Sequence, residues 1–282
     1  MRVGFSTNSI GETDVLQSLC LLHEMGYQSM AITLDRHVLS PSGDNVVTDV
    51  SAWKSALESR GMTCVIETGA RYLLNARMKH EPTLVSSTAE GRHKRISFLK
   101  HAIDMAAHLN ARCVSLWSGV VHDAAPEREL WRRLLDGMAE VLDYAAGKNI
   151  RIAFEPEPGM FIDTVSRFET LIERLGDRYE VHLTIDVGHL VCMGECPMNE
   201  VLKPWQDRII NVHIDDMLAC RHEHIPLGKG EVDFDSFFNF LFNSEYQEGL
   251  YVELPRQSHY WFESASGSLA FLQRHISRRT KE

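Results

Sequence analysis

Four short stretches of this chain hold acidic and imidazole side chains in spacings that chemistry can use: "AFEPEPG" with Glu155, "LTIDVGHLVCMGE" with Asp186 and His189, "NVHIDD" with His213 and Asp216, and "YVELP" with Glu253. Carboxylates and imidazoles that converge can hold a divalent cation or move protons. Asp186-x-x-His189 alone decides nothing, because an aspartate and a histidine three residues apart occur in ordinary surface turns. The elements that carry these residues have to decide.

The chain alternates β-rich and helical patterns with little interruption. The β-rich runs are "RVGFSTN", "QSMAITL", "MTCVIET", "RCVSLWS", "IRIAFEP", "VHLTID", "IINVHI" and "LYVEL". Helical patterns cover 12–25, 48–60, 90–109, 126–148, 165–175, 198–205, 235–244 and 260–277, with Pro126 suited to a first helical turn and Gly26, Gly61 and Gly176 suited to left-handed C-caps. Strand-helix alternation repeated eight times implies parallel strands with helical crossovers, and the expectation is a single (β/α)8 TIM barrel forming one domain over 1–282. Helix-to-strand turns are short. Strand-to-helix connections at 35–47, 68–89, 118–125 and 213–232 are long, which places working loops at the carboxyl face.

Side-chain parity sharpens this. One alternating set is apolar: Val3 and Phe5, Val114 and Leu116, Ile152 and Phe154, Leu183 and Ile185, Ile210 and Val212, Leu250 and Val252. It should pack against helices. The other set faces the barrel interior and ends in polar or large groups: Asn8, Glu67, Trp117, Glu155, Asp186, His213 and Glu253. Carboxylates crowded there without partners would cost several kcal/mol, and a divalent cation resolves that cost.

Bulk properties narrow the class. The chain has 282 residues, 44% hydrophobic and 24% charged, with a formal net charge of -10, which disfavours a nucleic-acid partner. No apolar run approaches the ~20 residues of a membrane span, and "MRVGFSTNSI" reads as a strand rather than a secretory leader. The six cysteines form no C-x-x-C and read as reduced thiols of a cytoplasmic protein. Whether the chain forms a homo-oligomer is left open.

With these motifs in order on consecutive strands, and with "HEHIPLGKGEVDF" following the seventh, the chain resembles the xylose isomerase-like TIM-barrel superfamily of sugar isomerases and epimerases, keto-inositol enzymes and type IV endonucleases. In epimerase members two glutamates, an aspartate and a histidine hold one divalent metal. The resemblance therefore implies Glu155, Asp186, His213 and Glu253 as ligands, and Glu155 and Glu253 as the acid-base pair. Such a set suits Mn²⁺ or Mg²⁺ and tolerates Co²⁺ or Zn²⁺. It implies a metal-dependent isomerase or epimerase for a small polyol-type carbonyl compound, working through an enediolate, with a dehydratase as close variant.

The neighbouring residues carry two readings each. His189 is a substrate contact or a loop histidine. Trp117 is a pocket wall. Glu67 contacts substrate or forms an internal ion pair. Arg256 and Arg71 hold an anionic group or are surface charges. Glu157 and Asp216 read as structural, as does His182. His222 and His224 bind an additional metal, as in endonuclease members, or order the loop that follows. "IETGARY" and "SLWSGV" lack the further histidines of the endonuclease pattern, which puts a three-zinc cluster in doubt. The alternatives are a metal-dependent phosphoesterase of that type and a non-catalytic metabolite-binding barrel.

Overall fold

The computed structural model describes residues 1–11, 13–43 and 46–278. Its strands are β1 (Arg2–Ser6), β2 (Ser29–Thr33), β3 (Thr63–Glu67), β4 (Val114–Leu116), β5 (Ile152–Phe154), β6 (His182–Asp186), β7 (Ile209–Ile214), β8 (Asp216–Leu218), β9 (Arg221–Ile225) and β10 (Gly249–Val252). Its helices are α1 (Val15–Met25), α2 (Val46–Glu58), α3 (Ala89–Leu109), α4 (Glu127–Lys148), α5 (Val165–Leu175), α6 (Val187–Met193), α7 (Met198–Leu202), α8 (Phe234–Asn243) and α9 (Trp261–Arg278). Eight strands close into a barrel in the order β1-β10-β7-β6-β5-β4-β3-β2, while β8 and β9 form a separate two-stranded sheet. This is the expected (β/α)8 barrel.

The chain divides into two compact units. In the first (Met1–Ala31, Ala56–Thr63 and Leu183–Glu282), β1 pairs β10 in parallel, Val3 opposite Leu250 and Phe5 opposite Val252. β10 pairs β7 with Tyr251 opposite His213, and β6 pairs β7 with Asp186 opposite His213. That register sets the aspartate and the imidazole side by side. Tyr251 is fully buried, and its ring occupies the space that side chains at Gly4 and Gly249 would need. Asp14 caps α1 by accepting from the Gln17 N–H at 2.8 Å. The expected start of this helix, Glu12, lies outside the described residues, as do part of the 35–47 connection and residues 279–282.

In the second unit (Ile32–Ser55 and Cys64–His182), β4 pairs β5 with Ser115 opposite Ala153. Helix α4 buries Leu130, Leu134, Met138, Val141 and Ala145, a stripe at helical spacing. Both α3 and α4 end on an asparagine in the left-handed region, Asn110 and Asn149.

Three local expectations change. Pro126 is the cap residue just before α4 rather than a residue of its first turn. Gly176 has positive φ but extended ψ (67°, -173°), so it is not a left-handed cap. The connection at 213–232 is not an open loop: it folds as the β8–β9 hairpin, Leu218 opposite Arg221.

Candidate functional site

In the first unit the carboxyl ends of β6, β7 and β10 bring three side chains together. Asp186, His213 and Glu253 each present a ligand atom within 4.8 Å of the others. His213 Nδ1 lies 2.9 Å from Glu253 Oε2, and His213 Nε2 faces the Asn211 amide at 3.3 Å. Asn211 also donates to Thr184 Oγ1 at 3.3 Å, so two inward residues of β6 and β7 fix the imidazole plane. Burial would raise the Glu253 pKa, but His213 and the Asn8 amide hold it well below the usual carboxylate range.

Asp186 does two jobs with its two oxygens. Oδ1 accepts from the N–H groups of Gly188 (2.8 Å) and His189 (3.1 Å), so the aspartate is the N-cap of α6. No N–H or hydroxyl of the described residues donates to Oδ2, which is buried and lies 3.8 Å from His189 Nε2 and 3.9 Å from His224 Nδ1. His189 is therefore a helical residue rather than a loop residue beyond a flexible glycine. Gly188 belongs to the first turn of α6, where a Cβ would strike the Asp215 carboxylate and Met217. Burial pushes the His189 imidazole down to about 3, so it is neutral near pH 7.

The β8–β9 hairpin delivers the remaining histidines. Alternation puts His222 and His224 on one face of β9, and His189, His222 and His224 each present a ring nitrogen within 4.8 Å of the others. On the other face Glu223 pairs with Arg221 and, at 3.4 Å, with Arg256. Arg256 is thus an exposed side chain drawn to the hairpin.

Asp215 was missed by the sequence reading. It is fully buried, and its Oδ2 lies 2.6 Å from His224 Nδ1. Burial and the adjacent Asp186 raise its pKa, and the His224 imidazole beside it works against that rise. Burial works against the His224 charge, but Asp215, with Asp186 and Glu253 behind it, carries the imidazole up to about 10. Alternation from His213 would have found it, since residues 211, 213 and 215 share a face. Asp216 points the other way and is structural: it accepts from Met217 N (3.0 Å), Gly230 N (2.7 Å) and Val232 N (3.0 Å), tying down "PLGKG".

In the second unit Glu155 follows β5, buried, its N–H donating to Leu116 O at 2.8 Å. Glu157 is half-buried two residues on, its N–H bonded to Ile162 O at 3.1 Å. Glu67 ends β3, buried. Trp117 follows β4 as a buried indole with the Arg95 guanidinium 4.2 Å from its ring centroid. Arg95 also donates to Thr68 O at 2.8 Å. A histidine does reach this wall: His80 stands edge-on to Trp117 at 5.5 Å, bonds to the Gly69 carbonyl and is pushed down to about 4 by burial. It comes from far along the β3–α3 connection, beyond the segment where a histidine was sought. Arg71 faces Asp35 at 3.7 Å. His182 lies 3.8 Å from Glu180.

The donor set of the first unit fits a divalent cation. It is carboxylate and imidazole, Asp186 and His213 buried and Glu253 half-buried, with one Asp186 oxygen that no hydrogen bond of the described residues satisfies.

Comparison with known proteins follows the same lines. Residues 19–275 match the family described as xylose isomerase-like TIM barrel. An inosose dehydratase of Bacillus thuringiensis (strain Al Hakam) is 30% identical over 145 residues, covering 44% of this chain and 47% of that protein. The chain thus spans about half the length of the curated relatives it matches. Among solved structures, an L-ribulose 3-epimerase superposes with a TM-score of 0.79 at 18% identity over 99% of this chain and 96% of the other. The IolI protein with a bound zinc atom does so at 0.76 and 17% identity over 99% of each. No helix among the described residues is long and apolar enough to cross a membrane. The family match spans most of the chain, and the chain belongs to the xylose isomerase-like TIM barrel family.

Proposed function

We propose that the chain, acting over 1–282 as one catalytic domain, is a metal-dependent isomerase or epimerase of a small keto-sugar or keto-polyol, with dehydration of an inosose-type substrate as the close variant. The observation that carries this reading is the convergence of Asp186, His213 and Glu253 around an unsatisfied buried carboxylate oxygen. Glu155, at the end of the strand next to β6 in the barrel order, would complete the ligand set. The inosose dehydratase relative and the epimerase of like fold support the substrate class; the zinc in IolI supports a metal. Mn²⁺ or Mg²⁺ suits three carboxylates and one imidazole, and Co²⁺ or Zn²⁺ is tolerated.

When bound, the cation would polarise a substrate carbonyl and the hydroxyl beside it. The protein's own groups do the rest. Glu253, held ionised by His213 and Asn8, removes the proton from the carbon next to the carbonyl. Glu155, in its acid form, would supply a second proton: to the opposite face of the same carbon, which inverts it, or to the former carbonyl carbon, which moves the carbonyl. In a dehydratase Glu155 would instead give its proton to the β-hydroxyl, which leaves as water as the carbon–carbon double bond forms. His189, neutral, donates to or accepts from a substrate hydroxyl. Trp117, Glu67 and Arg256 would contact the substrate. The acidic balance and cysteines that form no disulfide agree with a small-molecule enzyme of the cytoplasm that binds neither nucleic acid nor membrane.

One observation favours a second reading. The histidine triad His189, His222 and His224 would suit an additional zinc and phosphoester hydrolysis. Metal analysis after reconstitution separates the two. About one equivalent per chain, with solvent deuterium entering a keto-sugar or inosose at carbon, supports the isomerase. More than one equivalent and cleavage of a chromogenic phosphodiester support the hydrolase.

A further inference from the structure

The end of β1 reaches the same site through a chain of hydrogen bonds that neither the motifs nor the family resemblance involves. The Leu254 N–H donates to Ser9 Oγ at 2.6 Å. The Ser9 hydroxyl has one proton, and it donates that to Asn8 Oδ1 at 3.1 Å. With its oxygen fixed, the Asn8 amide can turn only its NH₂ toward Glu253, and Nδ2 donates to Glu253 Oε1. The network itself therefore settles the amide orientation. The chain starts at the backbone of residue 254 and returns to the side chain of residue 253. Ser9 is 1% exposed, so water does not compete for its bond from the Leu254 N–H.

We propose that Asn8, oriented by Ser9, is a positioning residue for Glu253. It pins the rotation of the carboxylate, so that Oε2 stays beside His213 Nδ1 at 2.9 Å and Oε1 is the oxygen turned to Asn8. The two oxygens then have separate work. Oε2, with His213, would hold the cation, and Oε1 would exchange the substrate proton. A carboxylate free to flip would lose both alignments at once. This division of labour rests on the function proposed above; the pinning itself does not.

The test compares the full-length wild type with Asn8→Ala, Asn8→Asp, Ser9→Ala and the Asn8→Ala/Ser9→Ala double variant. Mn²⁺ and Zn²⁺ affinities are measured by chelator competition, and thermal midpoints are recorded alongside. Asn8→Ala is expected to weaken affinity by about tenfold. Asn8→Asp, nearly the same shape but with an oxygen facing Oε1, is expected to weaken it further. Ser9→Ala should shift affinity in the same direction by less, and the double variant should be close to Asn8→Ala alone, because Ser9 reaches the Glu253 carboxylate through Asn8, while its bond to the Leu254 N–H is read from the thermal midpoints. A purely space-filling role predicts the opposite ranking, Asp milder than Ala, and additive Ser9 and Asn8 effects; either result overturns the proposal. If the wild type takes up no metal, the functional reading falls by itself. The pinning is then read from metal-free crystal structures. A Glu253 carboxylate ordered in the wild type and displaced or split in Asn8→Ala supports it, and an unmoved carboxylate overturns it.

Discussion

Two neighbouring turns of the barrel solve the same problem differently. Where β6 runs into α6, one aspartate caps the helix with one oxygen and offers the other to the site, and the N–H groups it caps lie within three residues. Where β7 runs into the hairpin, three residues divide the work. His213 faces Glu253, Asp215 holds His224, and Asp216 fastens a loop whose far end lies 16 residues away. The first turn is local and is expected to tolerate damage. The second ties distant segments together, so losing one member should cost more.

The largest effect is expected at the residue that both turns serve. Glu253→Gln should fold normally and lose turnover by about 100-fold or more at saturating metal, the lower range for an acid-base group. Near-wild-type turnover under those conditions would remove Glu253 from the mechanism.

The stability contrast comes next. Asp216→Ala leaves the N–H groups of Met217, Gly230 and Val232 without their carboxylate, and should lower the unfolding free energy by about 3 kcal/mol in urea titrations. Asp186→Ala removes a cap from a short helix, at a cost of about 1 kcal/mol. If Asp186→Ala proves the more damaging variant, the local turn is the less tolerant one and the comparison is reversed.

That contrast also marks what the sequence could disclose. The barrel was legible because each β/α unit carries its own alternation and helix stops. Asp186, His213 and Glu253 were legible because strand parity and strand ends are local properties. The hairpin was not, since "DMLACRHEHI" pairs Leu218 with Arg221 around Ala219 and Cys220, with neither glycine nor asparagine at the turn. The α6 cap was hidden by the glycine in "DVGH", which suggests a loop until Asp215 is seen filling the space a Cβ would take. Arg95 under Trp117 was invisible, since nothing in a helix pattern marks which arginine is buried.

A smaller effect separates Asp186 from His189. Asp186→Asn keeps a good N-cap but weakens a ligand, so metal occupancy should fall while the thermal midpoint of the metal-free protein stays nearly unchanged. His189→Asn should keep occupancy at saturating metal and change mainly KM or kcat. Loss of a metal equivalent from the His189 variant would make the imidazole a ligand and favour the hydrolase reading.

The last contrast is a pair of opposed slopes in the metal-free protein, shallow per pH unit. His189 is held at about 3, below its unfolded value near 6.5. As pH falls from 6.5 toward 3, the unfolded chain takes up a proton that the folded chain refuses, so stability declines by at most about 1.4 kcal/mol per pH unit. His224 is raised to about 10, and its sign is the reverse. Its contribution is complete below 6.5 and is lost as pH rises toward 10, because only the folded chain keeps that proton. One slope belongs to the α6 turn and the other to the hairpin, so each variant should remove one limb only. Urea midpoints recorded against pH in chelator should show a shallower acid limb in His189→Asn and a shallower alkaline limb in Asp215→Asn, which removes the carboxylate beside His224. An alkaline limb unchanged in Asp215→Asn would mean that the ion pair does not hold the His224 proton, and the hairpin would then be anchored by Asp216 alone.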